Sequence, residues 1–483
     1  MNKKRITMMF VMVLFAFVTL ASNASAVITR SENGVGDALL FPFFDADALN
    51  YVCISNEANN WVQVHVRLRT AGDSIEGKDF PLILSPGDMA IFEVSRIGQA
   101  DGLWRIDYSM DPNNFKYVRI NSAPVKSLVD IGTMKNDYAT LASSEILADA
   151  ARTEANKRYG YIEVIGEAIF DQGLNKAALL TPGGCTNTAR YIAAPSTNTL
   201  SDVPNVLSGK LYVMEGKYGT GMAYNAIAFD NFRTDGAVHR VDNYLRDTGV
   251  IVSSENSTLN DQVDVNGDNY TYMYSADLAR ATDGGKYEAL VSANNTWGPT
   301  FADGDDYLND QLDVRFGISS SVREFEAALR HVSVRGHYFN AKGFQTNLVL
   351  TLPTKHHVIV DPALLTGINS FEQYKIAYYR VMKALAPAYT AELWDTDENL
   401  IIGSSPFDVS PYVPGVLAPN VLPNELNILT PNYPYAAGRF VLAAFSDGSN
   451  ARYLVDQIAT LPVVGLSFIN MDGQLGYMTE TQY

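Results

Sequence analysis

An oxygen-rich segment in the middle of the chain has residue types and a spacing that suit a divalent cation. Asp264, Asn266 and Asp268 occupy positions 1, 3 and 5 of a calcium-loop pattern, and Asp261 lies just before them. Position 6 is asparagine where the pattern has glycine, and position 12 is serine where it has a bidentate glutamate. We predict that Asp261, Asp264, Asn266 and Asp268 bind calcium, with an ordinary Asx-rich turn as the alternative.

A short sequence similar to this segment occurs further along the chain. Residues 259–265 and 308–314 agree at six of seven positions. The second copy comes directly after another acidic cluster, residues 303–306. The flanking residues differ, so this short similarity does not establish a structural repeat. It indicates a second cation site or a chance likeness between two acidic loops.

Other catalytic or metal-binding patterns are absent from the sequence. The chain has no G-x-S-x-G, H-E-x-x-H, phosphate-cradling loop or C-x-x-C motif. Glu163 and Glu167 share one face of a predicted strand, but four residues span roughly 13 Å there. A glycosidase dyad needs carboxylates about 5 to 9.5 Å apart, so these two cannot form one by themselves. We interpret the protein as non-enzymatic, although carboxylates distant in sequence could still meet.

The two cysteines, Cys53 and Cys185, predict a disulfide. An even pair in an oxidising compartment is more often bonded than free. The alternative is a pair of buried thiols. Their pairing would close a long loop and constrain the unfolded chain by roughly 4 to 5 kcal/mol in the entropy model.

The N-terminus has the three parts of a secretory signal peptide. A basic stretch, residues 3–5, precedes an apolar run over residues 8–20 and the cleavage pattern Ala24-Ser25-Ala26. We therefore expect a mature chain that begins at Val27 and a periplasmic, cell-surface or extracellular location. After that point, no stretch has the 18 uninterrupted apolar residues of a membrane helix, so we predict none in the mature chain.

The mature chain is strongly acidic. The signal segment holds three of the 36 basic residues and none of the 53 acidic ones, which leaves a net charge of −20. Such a surface repels phosphate backbones and anionic lipids. The charge therefore argues against nucleic acid as a partner.

Apolar residues alternate with polar ones in many short segments, which predicts a mainly β fold. In residues 62–69, Val62, Val64, Val66 and Leu68 alternate with polar residues, which indicates one buried and one wet face. Two apolar runs flank Ser85-Pro86-Gly87-Asp88, a type II turn pattern that predicts a hairpin. We expect β-sandwich-like modules.

Two or three helices should interrupt the strands. An alanine-rich stretch over residues 136–156 has apolar residues at helical spacing, and a second helix should begin at Ser321. The length suggests several domains. We divide the chain into a signal peptide (1–26), an N-terminal sandwich-like domain (27–125), a central β-rich domain with helices (126–370) and a C-terminal β-rich region (371–483).

Several short motifs together resemble a family of uncharacterised secreted proteins from Gram-negative bacteria. These motifs occupy residues 39–44, 62–69, 84–86, 160–165 and 350–355. The resemblance implies export and β structure, and it implies no activity or catalytic residue.

Export, β patterning and missing catalytic motifs together favour an exported, non-enzymatic envelope or cell-surface protein that acts by binding or assembly. Its partner would be a surface, a protein, a glycan or another copy of itself. The alternative is a secreted carbohydrate-active enzyme or carbohydrate-binding protein. For that function, aromatic stacking platforms could come from the 27 tyrosines and from Trp61, Trp104, Trp297 and Trp394.

Overall fold

The protein is a mainly β molecule built from antiparallel sheets, as the sequence predicts. The computed structural model describes residues 29–72, 76–99, 102–111, 123–124, 154–170, 200–201, 205–215, 220–230, 328, 333–341, 343–353, 388–401, 407–410, 420–431, 436–446, 463–471 and 474–480.

Thirteen strands among the described residues of the first half of the chain form two sheets packed face to face. They are β1 (Thr29–Arg30), β2 (Ala38–Asp45), β3 (Leu49–Asn56), β4 (Trp61–Thr70), β5 (Glu76–Leu84), β6 (Met89–Ser95), β7 (Leu103–Asp107), β8 (Ala123–Pro124), β9 (Tyr159–Phe170), β10 (Leu200–Ser201), β11 (Leu207–Glu215), β12 (Thr220–Asn225) and β13 (Ile227–Asp230). The first sheet has the order β1-β13-β2-β9-β4-β5, with β10 beside β9. The second sheet has the order β12-β11-β3-β6-β7-β8.

The two sheets enclose one apolar core. Alternate residues of each strand point into it, because successive side chains of a strand point to opposite faces. The second sheet contributes Val52, Phe92, Trp104 and Leu211, all at most 1% exposed. Gly209 lies directly under the Phe41 ring, where a Cβ would come within 2.5 Å of Cζ, so only glycine allows this close approach.

In the described part of the second half of the chain, nine strands form two further sheets. They are β14 (Ser333–Phe339), β15 (Phe344–Thr351), β16 (Ala388–Asp395), β17 (Leu400–Ile401), β18 (Phe407–Ser410), β19 (Leu426–Pro431), β20 (Ala437–Ser446), β21 (Val464–Met471) and β22 (Gln474–Glu480). The third sheet has the order β14-β20-β16-β17, and the fourth has the order β18-β19-β15-β21-β22. The fourth sheet packs on the first sandwich, where the Phe43 and Phe468 rings stack with centroids 5.8 Å apart.

The predicted burial pattern over residues 62–69 is correct for one face of β4 and wrong for the other. Val62, Val64, Val66 and Leu68 are fully buried in the core, as predicted. The opposite face was expected to be wet, but the arginines at 67 and 69 are 1% and 0% exposed. Later segments lie against this side of the first sheet, and the Leu426 N–H donates a hydrogen bond to the Ala71 carbonyl. The sequence pattern of a single strand cannot show that a distant segment packs on its second face.

The predicted hairpin at residues 85–88 is wrong, although its turn is correct. Gly87 has a φ of +66°, and the Asp88 N–H donates to the Ser85 carbonyl, as a type II turn requires. However, β5 pairs with β4, whereas β6 pairs with β3 and β7. The turn therefore carries the chain from one sheet to the other.

Little of the predicted helices lies within the described residues. Residues 154–158 are helical, at the end of the first predicted helix, and Ala328 is helical within the second. The remainder of both segments lies outside the described residues. No helix in the described part of the chain is long and apolar enough to cross a membrane.

Candidate binding face

The side of the second sheet that points away from the core carries aromatic, methionine and charged side chains, of which Tyr212, Met214 and Met89 are exposed and Glu93 is buried. We call it the outer face and define it by the outward-pointing residues of β3, β6, β7, β11 and β12. The inward residues of the same strands are anchored in the core, which fixes the strands and therefore the positions of the outward ones.

Two tyrosines lie near the middle strands of the outer face, and exposed methionines lie at its two ends. Tyr212 on β11 is the cross-strand partner of Tyr51 on β3. Tyr212 is 38% exposed, Met214 on the same strand is 47% exposed, and Met89 on β6 is 48% exposed. The ammonium group of Lys210 lies 5.3 Å from the centre of the Tyr212 ring. Large apolar side chains with this exposure mark interaction surfaces when they cluster.

A polar network continues the row of tyrosines across β6 and β7. Glu93 is the cross-strand partner of both Tyr51 and Asp107. Its Oε1 accepts hydrogen bonds from the Ser95 hydroxyl at 2.8 Å and from Nη2 of Arg105 at 2.9 Å. Burial, with the Glu93 charge and a hydrogen bond to it, raises the pKa of Tyr51. Tyr51 is therefore a neutral ring with a fixed hydroxyl at neutral pH.

Charged side chains of both signs occur on the outer face. The outward residues of its described strands include two cations, Lys210 and Arg105, and two anions, Glu93 and Asp107. Arg105 lies within ion-pair distance of both carboxylates. Glu57 also reaches this face, where its carboxylate accepts a hydrogen bond from the Ser208 hydroxyl.

A separate ionic cluster ties the end of the helical residues 154–158 to the β2–β3 turn. Arg158 donates hydrogen bonds to both carboxylate oxygens of Asp45, at 3.0 and 2.8 Å. The guanidinium also lies 4.7 Å from the centre of the Tyr159 ring. Asp47 accepts from Arg96 beside this pair. Because these groups satisfy one another, we interpret the cluster as structural.

The tryptophans do not form an exposed platform where the structure describes them. Trp61 is 8% exposed and Trp104 is fully buried, so neither can stack on a ligand. Trp394 is half-buried, and the Arg439 guanidinium lies 4.2 Å from its ring centre. Trp297 lies outside the described residues. The aromatic residues with access to solvent on the second sheet are tyrosines.

The predicted calcium residues Asp261, Asp264, Asn266 and Asp268 lie outside the described residues, so their site stays a prediction. Within the described ranges, no group of three or more histidine, cysteine, aspartate or glutamate side chains is placed to hold a metal ion.

Calcium should raise the melting temperature of the chain if the four residues bind it. An affinity on the order of 10⁻⁴ to 10⁻³ M is expected, because the loop lacks the bidentate glutamate. At a calcium concentration tenfold above the dissociation constant, linkage gives about 1.4 kcal/mol of stabilisation. Thermal unfolding with millimolar calcium or with a chelator measures this difference. The Asp264→Ala, Asp268→Ala double variant should melt identically in both, and the same behaviour in the parent chain contradicts the site.

Cys53 lies on β3 in the outward-pointing register and is 8% exposed. It forms no disulfide with a described residue, and Cys185 lies outside the described residues, so their bond stays a prediction. Burial raises the pKa of the Cys53 thiol, and the nearby Lys210 only partly opposes this effect. A free Cys53 would therefore react slowly with alkylating agents.

Alkylation of the native chain should label no cysteine without reductant. The disulfide removes both thiols, so mass spectrometry should show an unmodified chain, and unfolding without reductant should not change this. The Cys185→Ser variant is the matched control, because its Cys53 must stay free. That variant should be labelled once, slowly when folded and rapidly when unfolded. Two labels on the unfolded, unreduced parent chain would rule out the bond.

Comparisons with protein-family models, with curated proteins and with solved structures find no match for this chain.

Sequence patterns predict β structure in this part of the chain but do not single out the outer face. The tyrosines at positions 51 and 212 are 161 residues apart in the chain and become neighbours only through the pairing of β3 with β11. The signal in the sequence is weak. It consists of outward positions that hold tyrosine, methionine or lysine where a solvated strand usually carries small polar residues.

Proposed function

We propose that the protein is an exported, non-enzymatic protein of the cell envelope or cell surface, and that it acts by binding a protein partner through the outer face. The observation that carries this proposal is the exposure of Tyr212 and Met214 on a sheet whose other side is buried. The sequence features of a signal peptide support export, and the lack of catalytic motifs supports a binding role.

The composition of the outer face favours a protein partner. Tyrosine, methionine and arginine are enriched in protein interfaces, and methionine adapts its shape to an irregular partner. Tyr51, Tyr212, Met214 and Arg105 supply these types within five adjoining strands.

Photo-crosslinking in the bacterium that encodes the chain tests this proposal. Benzoylphenylalanine in place of Met214 should give a crosslinked product upon irradiation. The same substitution at Leu400, which is 45% exposed on β17 of the third sheet, is the matched control and should give none. Equal crosslinking at both positions, or none at either, contradicts a binding role for the outer face.

A glycan is the second candidate ligand, and the row of Tyr212, Tyr51 and Glu93 favours it. Adjacent tyrosine rings can stack on sugar rings, and the neighbouring carboxylates can accept hydrogen bonds from hydroxyl groups. A glycan array with a hydrolysis screen tests this candidate. Binding should disappear in the Tyr212→Ala variant, and an array without signal rejects the glycan.

A further inference from the structure

We infer that the exposed side of the third sheet binds the carboxylate of an acidic sugar, such as a glucuronic acid at the end of a glycan, through Arg335, His337 and Arg439. We call these three residues the basic patch. The inference goes beyond the proposed function, because it concerns a different sheet and a different ligand. Three features support it: the placement of the basic side chains, the contacts that hold the two arginines and the aromatic ring beside them.

The three basic side chains are close neighbours on β14 and β20. His337 is the cross-strand partner of Arg439, so their Cβ atoms are about 5 Å apart. Arg335 precedes His337 by two residues, which places it about 7 Å away on the same side of the sheet. All three are exposed, whereas Phe440 on the opposite side packs against Phe407 of the fourth sheet. The basic patch therefore faces away from the interior.

Uncharged partners hold both arginines. Nε of Arg335 donates a hydrogen bond to the Ser333 hydroxyl at 3.0 Å. The Arg439 guanidinium lies 4.2 Å from the centre of the Trp394 ring. Among the described residues, neither guanidinium forms an ion pair. These contacts order the long side chains and leave their positive charges uncompensated, which suits them to an anionic ligand.

The acidic residues of the described third sheet lie on β16 and in the turn after it. β14 and β20 contain no aspartate or glutamate, although the chain has 53 acidic and 36 basic residues. Glu392 on β16 points to the same side as the basic patch, and Asp395, Asp397 and Glu398 follow at the end of β16. An extended polyanion that crossed the sheet would approach these carboxylates. A ligand with one carboxylate can stay over β14 and β20, where the cations are closest.

Phe339 supplies an apolar surface beside the basic patch. It follows His337 by two residues on β14, so it points to the same side, and it is 39% exposed. Its ring lies against the Phe344 ring, with centroids 5.5 Å apart. Aromatic rings can stack on sugar rings, and arginine binds carboxylates through paired hydrogen bonds. A uronic acid has both parts in one unit, so its carboxylate suits the basic patch and its ring suits Phe339.

Titration with a trisaccharide that ends in glucuronic acid, followed by saturation-transfer NMR, tests the inference. The same trisaccharide ending in glucose is the matched ligand, because it lacks only the carboxylate. The purified chain should bind the charged sugar with a dissociation constant on the order of 1 mM. The neutral sugar should bind about three- to tenfold more weakly, the range expected of exposed ion pairs. Equal binding of the two sugars, or no binding of either, overturns the inference.

Variants of the arginines locate the site. Arg335→Gln and Arg439→Gln should each reduce the preference for the charged sugar about two- to threefold, and the double variant should bind both sugars equally. Lys210→Gln is the matched control, since Lys210 is also exposed beside an aromatic ring, 5.3 Å from the centre of Tyr212, but lies on the second sheet. It should leave the preference unchanged. Circular dichroism melting curves verify that each variant is folded, and a folded double variant with the parent preference overturns the site.

Trp394 is a positioning residue in this site, because its ring holds the Arg439 guanidinium. Trp394→Leu should lower the preference for the charged sugar as much as Arg439→Gln does. Trp394→Phe should restore most of it, since phenylalanine also offers a ring face to the cation. A merely structural role would weaken the binding of both sugars alike and leave their ratio unchanged. An unchanged ratio in Trp394→Leu therefore contradicts the positioning role.

Competition decides whether the basic patch selects a sugar or accepts any anion. Inorganic phosphate and a tetrapeptide of glutamate are added separately to the chain and the charged trisaccharide. Each should displace the sugar only at concentrations above the dissociation constant of the sugar itself, because neither offers a ring to Phe339. Displacement at lower concentrations shows a phosphate or acidic-peptide site and overturns the assignment to a sugar.

Tyr212→Ala separates this site from the outer face. It should leave the binding of the charged trisaccharide unchanged, because Tyr212 lies on the second sheet. Loss of binding in Tyr212→Ala, with the arginine variants unaffected, would assign the sugar to the outer face and overturn this inference. Leu400 lies on β17, three strands and roughly 14 Å from β14, so it stays outside the site and remains a control position for crosslinking.

Discussion

Replacing Glu163 by glutamine should lower the free energy of unfolding by about 3–5 kcal/mol, because removal of one member of a buried ion pair leaves the other charge uncompensated. Nε of Arg69 lies 3.2 Å from Oε2 of Glu163, and both side chains are 0% exposed. Arg67, which is 1% exposed, is the direct cross-strand partner of Glu163. Urea unfolding, followed by tryptophan fluorescence, measures the change.

The pair of Lys157 and Glu154 supplies the matched control. Its atoms are 3.0 Å apart, but the Glu154 side chain is 70% exposed. Glu154→Gln should therefore change stability by less than about 1 kcal/mol. Equal small losses for Glu163→Gln and Glu154→Gln would show that water reaches the buried pair and would contradict its description as part of the protein interior.

Trp104→Ala should also destabilise the chain by about 3–5 kcal/mol, because it leaves a large cavity between the two sheets. Trp104 is fully buried, packs edge-on against Phe44 with centroids 5.0 Å apart and donates a hydrogen bond from Nε1 to the Lys157 carbonyl. Thermal unfolding, followed by circular dichroism, measures the loss without relying on the removed chromophore.

Trp394→Ala is the control for this change. The same atoms are removed, but Trp394 is half-buried and lies beside the Arg439 guanidinium, so the loss should be clearly smaller. Trp104→Phe should retain most of the stability, since it keeps an aromatic ring in the core. If Trp104→Ala weakened glycan binding and left stability unchanged, Trp104 would be a ligand platform and its burial would be wrong.

Local patterns predicted the strands well because strand periodicity is a property of neighbouring residues. The strand predicted to carry Glu163 and Glu167 is β9, and the four apolar residues at 62, 64, 66 and 68 point into the core. The turn at Gly87 was also predictable, since proline followed by glycine favours its dihedral angles.

Pairing between strands was not predictable in the same way. The sequence favours a hairpin of β5 with β6, but these strands belong to different sheets. Arg67 and Arg69 are buried on β4, and a segment hundreds of residues later contacts the end of this strand through the hydrogen bond of Leu426 to Ala71. The outer face likewise depends on long-range pairing of β3 with β11. Each of these features is set by contacts that no local window contains.

The position of β9 has a consequence for the order in which the chain can fold during synthesis. β9 is inserted between β2 and β4, so each of those strands lacks one of its final neighbours until residue 170 has been made. β11, β12 and β13 complete both sheets only at residue 230. Ribosomes deliver the N-terminal part first, and exposed strand edges in a partial chain promote aggregation. The nascent first half should therefore depend on chaperones until β13 has emerged from the ribosome. A fragment that ends at residue 125 should not fold.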